Sequence, residues 1–137
     1  MTIDDLIENF DLLDDWEDKY RYLIDLGEKY TTLPAELHQP EWKVIGCQSQ
    51  VWLVPEVKTD EGKKLLYFQG DSDAAIVKGL IAIVVTLFSG KSKEEILNLD
   101  IDNSFAKIGL QEHLSPSRRN GLEAMLEKIK FYAQSLG

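Results

Sequence analysis

The chain has 137 residues, enough to enclose one sizeable core and too few for a comfortable second domain, so a single domain over 1–137 is expected. Hydrophobic residues at 44% and charged residues at 28% exclude wholesale disorder, and one cysteine, Cys47, excludes an internal disulfide, a cysteine-rich zinc site and a paired-thiol redox motif. Fifteen basic against 24 acidic residues give a net charge of -9, a field that repels a phosphate backbone, so no nucleic-acid partner is expected.

In chain order, the first segment is an acidic amphipathic helix. Ile3, Leu6, Ile7 and Phe10 recur at helical spacing behind Thr2, a capping residue, with Asp5 in the first turn. It lacks the basic start and long apolar core of a secretory leader. A second helix is predicted from Asp14 to Leu26, with Trp16, Tyr20, Leu23 and Ile24 on one face and Gly27 as its stop. Nine acids and two bases through Gly27 place -7 of the net charge in these helices; a solvated face explains that, and a docking surface for a basic partner is the competing reading.

Residues 31–43, with Pro34 and Pro40, read as an irregular connection. Val51 to Val54 reads as a strand ending near Pro55, and Leu65 to Phe68 as its return across a polar turn containing Gly62. A helix is predicted from about Ala74 to Phe88, opened by Asp71 and Asp73 at its positive end and apolar nearly all round except at Lys78. Its strongest apolar run, Gly79 to Phe88, is about half the ~20 residues of a membrane span, so a soluble, cytoplasmic protein without membrane contact is expected. Ser92 and Glu95 have capping-box spacing, and Phe105 to Ile108 suggests one more turn. Ser115-Pro116 starts a last helix whose stripe is Leu122, Met125, Leu126, Ile129, Tyr132, Ala133 and Leu136. Helices, hairpin, helices: this order predicts an α+β fold, a small antiparallel sheet packed against several helices.

Cys47 is the one strong nucleophile. Gly46 precedes it, Gln48, Ser49 and Gln50 follow it, and the apolar strand starts only at Val51. A core cysteine belongs inside an apolar run, so this position reads as a loop that presents its side chain. Acyl transfer would need a base and an orienting group, and His38 and His113 stand in no hydrolase motif; both read as structural histidines. An iron–sulfur cluster would need more ligands, and helix capping accounts for Asp71 and Asp73 without a metal. Thiol exchange needs only one sulfur on this side: a thiolate attacks the outer sulfur of a persulfide carried by another protein.

The stretch Gly46-Cys47-Gln48-Ser49-Gln50-Val51-Trp52 is similar to the cysteine-loop signature of the SufE family, the sulfur acceptors of iron–sulfur cluster assembly. Two further segments match in the same order, Gln69-Gly70-Asp71-Ser72-Asp73-Ala74-Ala75 continuing to Leu80, and His113-Leu114-Ser115-Pro116-Ser117-Arg118 with Asn120-Gly121-Leu122 continuing to Met125. The resemblance implies a SufE/IscU-like fold and a persulfide-carrying protein that activates its partner rather than a stand-alone enzyme. Cys47 would accept sulfur from a pyridoxal-phosphate-dependent cysteine desulfurase of the SufS or CsdA type, stimulate that enzyme, and deliver sulfur to a SufBCD-type scaffold. The pyridoxal phosphate belongs to the desulfurase; no cofactor or metal is expected on this chain, as monomer or homodimer. Gln50, Asp73 and Arg118 fall in the matched segments and are candidates for partner contact or loop support; strand entry, helix capping and an exposed first-turn position are their structural alternatives. A paralogous acceptor feeding another sulfur pathway, a thiol hydrolase and a binding module with an inert cysteine are the competing functions.

Overall fold

The computed structural model describes residues 2–31, 33–46, 49–100 and 114–135. Among these, five α-helices and one two-stranded antiparallel sheet make an α+β fold, as the sequence predicts. Helix α1 (Ile3–Asp11) carries the expected cap at Thr2, in a reciprocal capping box with Asp5, and buries Leu6 and Phe10. Helix α2 (Trp16–Tyr30) starts from an Asp15 cap.

The second helix does not stop at Gly27. It continues to Tyr30 because Gly27 is where α2 crosses α3 (Ala75–Phe88): a Cβ there would meet the Gly79 backbone nitrogen at 2.6 Å. Gly79 in turn faces Leu23. The two glycines let the backbones approach, so α2 seals one side of α3 while β2 and α1 cover others. Helix α3 is accordingly buried at nine positions, including Leu80, Ile81, Ile83, Val84 and Phe88. It is the central element of the core; each such side chain withdrawn from water contributes roughly 1.5–3 kcal/mol.

Strands β1 (Val51–Asp60) and β2 (Lys63–Ser72) are longer than predicted and pair throughout, from Val51 with Ser72 to Asp60 with Lys63. Pro55 does not end β1. It faces Phe68, whose amide points outward to Ser89 Oγ (3.0 Å), so this is a non-hydrogen-bonded pair in which Pro55 loses no ladder bond. The same parity turns the Leu53 and Val51 carbonyls outward, where the Tyr132 hydroxyl (3.2 Å) and the Val44 amide (2.8 Å) donate to them. The hairpin edges are thereby partly covered by chain from elsewhere.

Helix α4 (Lys93–Asn98) has the predicted Ser92/Glu95 capping box, and helix α5 (Pro116–Ser135) starts at the predicted proline, burying Leu122, Met125, Ile129 and Ala133. The turn expected at Phe105 to Ile108 and the stripe residue Leu136 lie outside the described residues. No helix among the described residues is long and apolar enough to cross a membrane.

Candidate functional site

Cys47 and Gln48 lie outside the described residues, and the site is defined by what holds the chain on either side of them. On the entry side, Val44 is buried and bonded to Val51, and Lys43 forms a bridge with Trp52. Ile45 is 83% exposed, an unusual position for an isoleucine, and Gly46 takes φ +102°, a left-handed conformation that glycine adopts without strain. The chain thus leaves the edge of β1 at Val44 and rejoins it at Val51.

On the exit side, Gln50 and Asp73 extend the β1–β2 ladder by one pair. The Asp73 amide donates to the Gln50 carbonyl at 3.3 Å, as backbone pairing requires. The Gln50 amide donates to the Asp73 side chain at Oδ1 (3.0 Å), so the carboxylate stands in for a backbone carbonyl. This corrects the capping assignment of the acids before α3. The cap residue of α3 is Ala74, with no side-chain cap bond; Asp73 is tied to Gln50, and Asp71 belongs to the end of β2. The Ala74 amide is met by Ser72 Oγ at 3.2 Å. The alternative proposed for Gln50, strand entry, describes its backbone position correctly.

Ser49 lines an open cavity of about 390 Å³ together with Val51, Ala74, Ile76, Ser115 and Arg118. Arg118 is half-buried rather than exposed. It sits in the first turn of α5, its amide capped by Ser115 Oγ at 3.3 Å, and it brings the formal positive charge to this cavity's lining. The structure therefore brings Gln50 and Asp73 into direct contact and puts Arg118 and Ser49 in the lining of one cavity. A shallow hollow lined by Val44, Ile45, Ala124 and Phe131 lies on the entry side.

One constellation near the site was not foreseen. His38 Nε2 lies 2.8 Å from Asp71 Oδ2, and Lys78 Nζ lies 3.6 Å from Asp71 Oδ1. The hydrogen bond that the imidazole donates to the Asp71 carboxylate, aided by the backbone carbonyls of Ala35 and Pro34, holds the imidazole pKa above its usual value. His38 Nδ1 faces the Pro34 carbonyl at 3.1 Å, so neither ring nitrogen is available as a base for a nucleophile. The structural reading of His38 holds; His113 lies outside the described residues. Nothing local in the sequence signals this pairing, because Asp71 is 33 residues away and only the ladder register brings it beside Trp52, on which the His38 ring packs edge-on at 4.7 Å.

Comparison with known proteins bears on this arrangement. Residues 4–133 match the family model described as SufE, Fe-S metabolism associated domain. An uncharacterized SufE-like protein of Rhizobium etli is 50% identical over 129 residues, covering 94% of this chain and 87% of that one. Another, of Rhizobium meliloti, is 49% identical over 133 residues, covering 97% and 95%. A solution structure of a hypothetical protein from Thermus thermophilus superposes with a TM-score of 0.69 at 24% identity, over 98% of this chain and 97% of that one, and so shares the fold. With the family model spanning nearly the whole chain and the curated relatives agreeing with it, the chain belongs to the SufE family, a domain family of iron–sulfur metabolism.

Proposed function

We propose that this protein is the sulfur acceptor of a pyridoxal-phosphate-dependent cysteine desulfurase, with Cys47 as the residue that carries the sulfur toward an iron–sulfur assembly scaffold. The observation that supports this best is the paired anchoring around Cys47. Val44 to Val51 on one side and Gln50 to Asp73 on the other hold a short excursion of chain off the sheet edge, next to a cavity with a cationic wall. Such an excursion lets one side chain project toward a second protein without disturbing the core.

The transfer balances without an external oxidant. The Cys47 thiolate attacks the outer sulfur of the donor's persulfide, the donor's S–S bond breaks, and the donor leaves as a thiolate. Cys47 becomes the persulfide, anionic near neutral pH, and the proton lost from Cys47 is available to the departing donor thiolate. Arg118, in the lining of the cavity that Ser49 also lines, is the positive charge this reading assigns to stabilising that anion. Delivery to the scaffold repeats the exchange in the other direction, with Cys47 as the leaving thiolate. Draining its persulfide frees the desulfurase for another turnover, so the acceptor stimulates the enzyme. The pyridoxal phosphate that cleaves the C–S bond of cysteine is the desulfurase's own.

Desulfurase turnover, followed as alanine release, tests this reading. The wild-type protein is expected to raise the rate and Cys47→Ser to lose the increase; full stimulation by the serine variant would show that docking alone activates and would remove Cys47 from the mechanism.

A further inference from the structure

Residues 33–43 connect α2 to the entry side of the site, and none of these side chains is buried. A segment without a core anchor is held by polar ties, and His38 makes one to an atom far along the chain. Its ring is placed by three contacts: Nε2 to the Asp71 carboxylate, Nδ1 to the Pro34 carbonyl, and one edge against Trp52 of β1. Both ring nitrogens face oxygen acceptors. A neutral imidazole carries one N–H and one lone pair, so it satisfies one of these oxygens and turns a lone pair toward the other. An imidazolium donates to both.

We propose that His38 is a proton-operated clasp, which in its imidazolium form fastens the 33–43 connection to the sheet and on losing its proton releases it. The groups that set its charge come from each neighbouring element. Asp71 at the end of β2 favours the proton, as do the Pro34 and Ala35 carbonyls of the connection, and Trp52 of β1 presents a ring without charge. Lys78 of α3 and the Ser72 amide (2.8 Å) share Asp71 Oδ1 and temper its pull. The raised imidazole pKa fixes the sign: the clasp is fully formed below the unfolded value of about 6.5 and is lost as pH rises through the folded midpoint. The clasp thus loosens as pH rises through that raised midpoint, in the connection that leads to Val44 and the site.

NMR titration of the imidazole signals with amide hydrogen exchange tests this in the full chain. The His38 signal, identified by its loss in His38→Phe, is expected to titrate above the ordinary midpoint and to fall back toward it in Asp71→Asn. At pH 6 the amides of Leu37 and His38 should be protected roughly fivefold more in wild type than in His38→Phe, the difference closing above the midpoint once intrinsic exchange is corrected for. A His38 midpoint at or below about 6.5, or equal protection in wild type and His38→Phe at pH 6, overturns the clasp. Neither outcome depends on sulfur transfer.

Discussion

At the scale of single residues, the features that organise the site are substitutions of one polar group for another. Asp73 provides a side-chain oxygen where an antiparallel ladder ordinarily provides a carbonyl, and so the strand pairing reaches Gln50 although α3 is about to begin. Asp73→Ala removes that acceptor and should cost about 0.5–1.5 kcal/mol in urea unfolding, while Asp73→Asn, which keeps an oxygen there, should cost less than half of that. The proposed function assigns Arg118 to the chemistry rather than to the fold. Arg118→Met keeps the stem and removes the charge, so the midpoint of Cys47 alkylation with pH is expected to rise by roughly half a unit to one unit. An unchanged midpoint would remove Arg118 from the stabilisation of the sulfur anion. The contrast between a cysteine flanked by polar residues and an apolar run starting at Val51 was readable in the sequence alone. The His38–Asp71 contact was not, because it depends on strand register, which residue types near His38 do not encode.

At the scale of elements, local signals were readable where the local interaction decides the structure. The Thr2, Ser92 and Ser115 caps and Pro116 satisfy backbone groups within three residues of themselves, and each stands where the spacing placed it. Signals failed where a distant element decides. Gly27 reads as a helix stop by local preference, yet tertiary contact with Gly79 keeps it inside α2. Pro55 reads as a strand end, yet it occupies an outward-facing ladder position that needs no amide. The acids before α3 read as caps, yet the strand end and the connection claim them. Gly27→Ala separates local from tertiary control. Helix propensity alone predicts a gain of roughly 1 kcal/mol, whereas forcing apart two packed backbones costs about 1–3 kcal/mol or more. We expect a net loss of about 1–2 kcal/mol, measured by urea denaturation; a net gain would show that the α2–α3 crossing relaxes freely.

At the scale of the whole molecule, fold class was legible because the order of periodic segments leaves few ways to bury them, and the buried α3 is the natural centre of that packing. A stable protein–protein contact covers about 800 Å² per partner, a patch roughly 16 Å in radius. Such a patch has room for both exposed Ile45 and the cavity that Ser49 and Arg118 line, and on the proposed reading the desulfurase would supply the cofactor. The central claim is that Cys47 takes sulfur from that enzyme, and intact mass tests it most directly. After incubation with a cysteine desulfurase, pyridoxal phosphate and cysteine, wild-type protein is expected to gain about 32 Da, one sulfur atom, at Cys47; reductant should remove the adduct and Cys47→Ser should not form it. An unchanged mass, with the desulfurase turning over and Cys47 still open to alkylation, would contradict the account.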